Sequence, residues 1–166
     1  MSGRGQDAKR GAATPATAVL TRAGITFSEH RYEHDPAAPS FGLEAAEALG
    51  LPVEQVFKTL LCLVDGQPHV AIVPVHCQLD LKAAATAAGG KRAEMMRVDA
   101  AERLTGYVAG GISPFGQKRL LPTLVDETAE LFDVVYVSGG RRGYDIGLAP
   151  ADLITLLAAR VADLAR

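Results

Sequence analysis

The chain has 166 residues, 48 % of them apolar and 22 % charged, with a formal net charge of −2. That size and balance suit one globular domain with a real core and exclude a protein that coats nucleic acid through bulk charge. A local basic patch for one specific RNA contact remains open.

In chain order, residues 1–13 are small, polar and mildly basic, with no hydrophobic periodicity and no apolar h-region. They read as a disordered tail rather than a secretory signal, and residues 14–166 as a single domain. Thr14-Pro15 offers an N-cap with proline in the first turn, and Gly24 a stop, so a short helix is predicted between them. Residues 26–32 read as a strand. Residues 41–49 read as a second helix, with Gly50 as its C′ residue and Pro52 just beyond. Two β-rich runs, 56–64 and 70–75, are joined by Asp65-Gly66-Gln67-Pro68, a hairpin signal. The first is apolar on both faces with Lys58 near its start, which predicts a central strand.

Residues 79–88 form an alanine-rich helix stopped by Gly89-Gly90, and 98–104 another, with Asp99 and Glu102 near its positive end. Strands are predicted at 121–125 and 134–138, then a turn at 139–143 and a strand at 144–148. Pro150 opens a last helix with Leu153, Leu156, Leu157 and Val161 at amphipathic spacing. Helices interspersed with hairpin-linked strands, without regular βαβ alternation, predict an α+β fold with a mixed, strongly curved sheet.

Standard catalytic kits are absent from the sequence. His30 and His34 are four apart, but their segment reads as strand and turn with Pro36 following, His69 and His76 add no ligand pair, and there is no GxSxG elbow and no P-loop. Cys62 and Cys77 lack CxxC spacing and sit in apolar, strand-like surroundings, as small hydrophobes do. No apolar run approaches a membrane span, and the cytoplasm is the expected location.

What remains is polar residues in conspicuous places. Residues 105–118 crowd four glycines and a proline between apolar segments and end on Lys118. Glycines allow positive φ and close approach to a strand, a phosphate or a carbonyl, and they equally serve a tight loop with a bulge. Lys58 is a snorkelling side chain at a sheet edge or a cation aimed into a pocket. Ser138 and Asp145 flank a glycine turn as caps or as ligand contacts. Lys91, Arg92, Lys118, Arg119, Arg141 and Arg142 are a solvated surface or an RNA-facing rim.

Six segments occur in an order that resembles a known family: Tyr32-Glu33-His34-Asp35-Pro36, Val56-Phe57-Lys58-Thr59-Leu60-Leu61, Gln78-Leu79-Asp80-Leu81-Lys82, residues 105–118, Leu121-Pro122-Thr123, and Val137-Ser138-Gly139-Gly140 with Arg142-Gly143. Together they resemble the YbaK/EbsC family of Cys-tRNA(Pro) deacylases from about residue 15 to the C-terminus. The resemblance implies a barrel-like mixed sheet flanked by helices. It implies trans-editing, the release of cysteine wrongly esterified to proline tRNA, which a single binding pocket cannot reject because the two amino acids are near-isosteres. It further implies that the substrate's own thiol attacks its ester carbonyl, giving a cyclic thioester and free tRNA, without cofactor or metal.

By the same resemblance, the backbone N–H groups of Gly110 and Gly111 support the carbonyl oxygen and Lys58 meets the terminal phosphate or ribose. Tyr32, Phe41, Thr59, Ile112, Ser113, Ser138 and Asp145 bind the substrate. The implied partners are misacylated tRNA(Pro) and prolyl-tRNA synthetase in a transient ternary complex, with no DNA and no membrane. Two positions depart from the family pattern beside Asp145: Gly147, where an acid is common, and Tyr144, where leucine is expected. The alternatives are an Ala-tRNA(Pro) editing hydrolase with a water nucleophile and a non-catalytic module that binds tRNA or a synthetase.

Overall fold

Local signals set most element ends in the computed structural model, which describes residues 13–166. The tail expected at residues 1–13 lies, apart from Ala13, outside the described residues. Helix α1 (Pro15–Arg22) starts in a capping box, where the Thr14 side chain accepts from the Thr17 N–H. After strand β1 (Ser28–Arg31), helix α2 (Phe41–Leu49) is capped by Ser40 and ends on Gly50 at φ +66°. Strands β2 (Phe57–Val64) and β3 (Gln67–Pro74) form a hairpin about Asp65-Gly66, both at positive φ as a type I′ turn requires. Asp80 caps helix α3 (Leu81–Ala87), and β4 (Ala93–Met95) and helix α4 (Val98–Thr105) follow. The chain closes with β5 (Thr123–Asp126), β6 (Val135–Arg141), β7 (Tyr144–Leu148), α5 (Pro150–Leu157) and β8 (Arg160–Ala162).

Three features differ from the sequence expectation. Strands β4 and β8 were not foreseen, because three residues carry too little alternation to register. Val161 pairs with Val125 in β8 instead of extending α5, whose end is fixed by Ala158 at φ +49°. The glycine turn contracts to Arg142-Gly143, since β6 continues through Gly139-Gly140 by way of an irregularity between Ser138 and Arg141.

The strands form two open sheets. One has the order β4-β2-β3-β5-β8, antiparallel from β4 to β3 and parallel from β3 to β8; the other has the order β1-β7-β6, all antiparallel. The sheet is therefore mixed and β2 is interior, as expected. The barrel-like, strongly curved sheet is not found. The two sheets share one parallel bridge, Val56 to Tyr136, and beyond it β2 and β6 separate, so no continuous hydrogen-bond ladder closes the ring.

The larger core cluster fills the space between the sheets. Phe57, Leu61, Val70, Ile72 and Val125 of one sheet meet Val135, Val137, Tyr144 and Ile146 of the other, with Leu20 and Leu153 from the helices. Such buried side chains contribute about 1.5–3 kcal/mol each. A second cluster, containing Cys62, Val64, Val73 and Leu124, packs the opposite face of the larger sheet against Ala84 and Ala85 of α3.

Candidate active site

The separation of β2 from β6 makes the cavity. Two residues beyond the Val56–Tyr136 bridge, Lys58 and Ser138 stand on its walls. The edge of β2 is also open here. Leu61 C=O accepts from Met96 N–H at 3.1 Å, but β4 pairs only with residues 62–64. Backbone direction alternates along a strand, so Thr59 presents its N–H and C=O to the same edge as Leu61 and has no strand partner there among the described residues. The resulting cavity has a volume of about 350 Å³.

Eight of the expected residues line this cavity: Tyr32, Phe41, Lys58, Thr59, Gly110, Ile112, Ser138 and Asp145. Gly111 and Ser113 are placed outside its lining. The Gly111 N–H donates to Val108 C=O at 2.8 Å, and a Cβ on Gly111 would come within 2.7 Å of the Arg141 backbone. Ser113 is fully buried, with its hydroxyl accepting from Phe115 N–H at 3.3 Å and its C=O accepting from Gln117 Nε2 at 2.9 Å. Both residues shape the loop behind the wall.

The loop presents Gly110 through a β-turn. The Val108–Gly111 hydrogen bond and Gly110 at φ +83° define type II, with Ala109 and Gly110 as the central residues. A Cβ on Gly110 would come within 2.4 Å of the Phe41 ring, so glycine is required for this close approach. The Ala109 N–H donates to Glu102 Oε2 at 2.8 Å, and Ala109 C=O accepts from Arg142 Nε at 2.8 Å. No acceptor among the described residues takes the Gly110 N–H.

Phe41 is held from several sides. The Arg142 guanidinium lies 5.1 Å from its ring centre and the His34 ring 5.6 Å away. His34 is fixed in turn by Glu44, with Nδ1 to Oε1 at 2.7 Å. Sequence reasoning assigned no site role to His34, Glu44, Glu102 or Arg142. Glu102 reads there only as an acid complementing a helix dipole and Arg142 only as a basic rim. Met95 and Met96, which also line the cavity, went unnoticed together with β4, and Val98 reads there only as the start of a helix.

The electrostatics of the cavity are unbalanced. Lys58 makes no ion pair among the described residues, and burial lowers its ammonium pKa below the ordinary lysine range. Asp145 is 6 % exposed, and burial pushes its carboxyl up to about 7. Tyr32 is pushed up to about 12, by burial first and by the Asp145 carboxylate second, so it stays a neutral phenol and a donor. The Thr59 hydroxyl is buried without a partner among the described residues. Ser138 Oγ accepts from Gly140 N–H at 3.2 Å. The set offers donors, one cation and one titrating carboxyl. Among the described residues no three His, Cys, Asp or Glu side chains are grouped to hold a metal ion.

Asp145 makes stability depend on pH. The folded protein keeps its proton up to about pH 7, whereas an ordinary aspartate releases it near 3.8. Between these values the native state binds more protons than the unfolded one, so stability falls as pH rises, by on the order of 4 kcal/mol at most. Asp145→Asn is expected to raise the melting temperature by several degrees at about pH 8 and to leave it unchanged at about pH 3.5. Parallel melting curves that never converge at low pH would show that the Asp145 proton is not the cause.

The two departures from the family pattern resolve differently. Tyr144 is 1 % exposed and belongs to the core cluster, with Arg31 and Arg141 over its ring at 4.9 and 5.0 Å, so it forms no part of the cavity wall. At Gly147 a Cβ would meet Ser28 Oγ at 2.7 Å and the Tyr136 ring at 2.8 Å, which leaves no room for an acid.

Comparison with known proteins follows the same lines. Residues 35–156 match the model of the aminoacyl-tRNA editing domain. The chain is 39 % identical over 120 residues to EbsC of Enterococcus faecalis, a candidate Cys-tRNA(Pro)/Cys-tRNA(Cys) deacylase; the match covers 72 % of this chain and 73 % of EbsC. It is 31 % identical over 116 residues to the multifunctional Ser/Thr-tRNA deacylase ProXp-y of Escherichia coli K12, covering 67 % of this chain and 70 % of that one. A solved structure of a candidate trans-editing enzyme for prolyl-tRNA synthetase superposes with a TM-score of 0.78 at 28 % identity, over 92 % of this chain and 95 % of that one. The chain belongs to the aminoacyl-tRNA editing domain family.

Proposed function

We propose that this protein is a trans-editing deacylase that releases cysteine from misacylated Cys-tRNA(Pro). The supporting observation is a cavity that brings Lys58, Thr59, Ser138, Asp145 and Gly110 together, a Gly110 N–H with no acceptor among the described residues, and no hydrogen-bonded nucleophile–base pair among its lining side chains. Cys62 lies in the far core cluster and Cys77 outside the lining. Such a site suits a substrate that brings its own nucleophile. The cysteinyl thiol attacks the ester carbonyl, forming a C–S bond as the C–O bond to the ribose breaks. The thiol proton goes to the departing ribose oxygen, and the products are a cyclic thioester and free tRNA.

A thiol with a free pKa of roughly 8.5 supplies some thiolate near neutrality, so the protein's task is orientation and charge support. Orientation contributes roughly 7–11 kcal/mol in favourable cases. Gly110 N–H faces the carbonyl oxygen, Lys58 meets the terminal phosphate or ribose, and Asp145 with Ser138 receives the polar end of the aminoacyl group. Tyr32, Phe41, Thr59 and Ile112 enclose it. The cavity reads the acyl end of the tRNA, so recognition of the tRNA body falls to the outer surface or to prolyl-tRNA synthetase in a transient ternary complex in the cytoplasm.

The test is a deacylation panel with Cys-, Ser- and Ala-tRNA(Pro). Cysteine is expected to be released and Ser-tRNA(Pro), isosteric but without the thiol, to react roughly 100-fold more slowly or less. Equal rates on cysteine and serine would sink the thiol route and favour the chemistry named for the Ser/Thr-tRNA deacylase relative. Preference for alanine would indicate a water-based Ala-tRNA(Pro) editor, and tRNA binding with no deacylation a non-catalytic module.

A further inference from the structure

We propose that Arg142 is a positioning residue that, with Glu102, fixes the orientation of the Ala109–Gly110 peptide and so aims the Gly110 N–H at the substrate carbonyl; the inference rests on the editing reading above. The C=O and N–H of a trans peptide point in opposite directions. Ala109 C=O is taken by the exposed Arg142 guanidinium, so Gly110 N–H points away from it, towards the cavity that Gly110 lines.

This orientation is not fixed by the turn itself. The central peptide of a β-turn lies one way in type II and is reversed in type I, with the turn's ends nearly unmoved. Glycine at the third position accepts both, because φ +80° and φ −90° are equally open to it. The reversed peptide would withdraw the donor and place Ala109 C=O, an acceptor, where the substrate carbonyl oxygen has to sit.

Two charged side chains decide between these states. Arg142 Nε donates to Ala109 C=O at 2.8 Å, a charge-assisted bond that is lost on reversal. Glu102 Oε2 accepts from the Ala109 N–H at 2.8 Å and anchors the preceding peptide, so the pivot does not drift. The guanidinium also polarises the amide it binds, which strengthens the N–H on the other side. Arg142 covers the outer face of Phe41 as well, whose ring occupies the space a Gly110 side chain would need.

The test compares Arg142→Met, which keeps the apolar stem and removes the donor, with the wild-type protein. The readouts are single-turnover deacylation of Cys-tRNA(Pro) at saturating protein, KM, and the amide ¹⁵N–¹H signal of Gly110. The saturated rate is expected to fall roughly 10- to 100-fold, with KM changed less than about threefold and the Gly110 signal displaced. Glu102→Gln, which keeps the acceptor, is expected to stay within about threefold of wild type, and Glu102→Ala to lose activity. If Arg142→Met does not fold, this Glu102 pair and its Gly110 signals decide alone.

A saturated rate within twofold of wild type, an effect confined to KM, or an unmoved Gly110 signal would overturn the inference. Equal behaviour of Glu102→Gln and Glu102→Ala would overturn it too. If the wild-type protein does not deacylate Cys-tRNA(Pro), the functional reading fails, while the Gly110 signal still reports whether Arg142 holds the peptide.

Discussion

Replacing Lys58 with methionine is expected to leave a folded protein, at least as stable as the parent, whose kcat/KM on Cys-tRNA(Pro) is roughly 10- to 150-fold lower. The two effects have opposite signs for one reason. Lys58 lines a cavity bordered by Leu60, Leu61 and Met96, and it has no anionic partner among the described residues. Burial already lowers its pKa, so the folded protein holds the charge at a cost. Methionine fills similar space without that cost. The catalytic loss follows from what the charge awaits, a phosphate or ribose oxygen that arrives with the substrate. A hydrogen bond to a charged group is worth roughly 1.5–3 kcal/mol, which sets the range above. Salt dependence separates a phosphate contact from a ribose one, because losing one contact to a single-stranded end flattens the log–log slope by about 0.7. Wild-type turnover, or a clear drop in melting temperature, would show that Lys58 is a snorkelling side chain with a structural role.

The fold was legible where a local signal decides it. Thr14-Pro15, Gly50 and Asp65-Gly66 each impose a cap or turn that tertiary contacts do not alter. The open sheets were not legible. Closure depends on whether the β2 and β6 ladders continue beyond one bridge, and strand propensity carries no information about that. The polar lining was named through the family resemblance, because in the residues alone Lys58 reads equally as a snorkelling side chain and Asp145 as a turn cap. Gly111 resembles Gly110 in sequence, yet one N–H closes the turn and the other has no acceptor among the described residues. One position along a turn decides that difference, and glycine content cannot. Arg142 and Glu102 were hidden for a related cause: each acts on backbone atoms of Ala109, so no side-chain pairing pattern announces them.

Gly110→Ala is expected to lower kcat/KM by roughly 100-fold while costing only about 1–2 kcal/mol of stability. The stability term is the left-handed backbone, φ +83°, which penalises any Cβ. The functional term is Phe41, whose ring lies 2.4 Å from the position of the new methyl group and has to give way. Phe41 is 38 % exposed at the start of α2, so it can swing aside without unfolding the core. Swinging aside removes a cavity wall and the surface on which Arg142 rests. A displacement of about 1 Å in a positioning group is enough for a 100-fold loss.

Gly50→Ala separates the two terms. Gly50 has φ +66°, but a Cβ there meets nothing within 4 Å, so this variant carries the backbone strain alone. It is expected to lose about the same stability and to retain wild-type kcat/KM. Denaturant unfolding and deacylation rates measured on both variants decide the matter. If Gly110→Ala behaves like Gly50→Ala, destabilised but active, then glycine at 110 serves the turn alone, and the close approach of Phe41 to it is not needed for turnover.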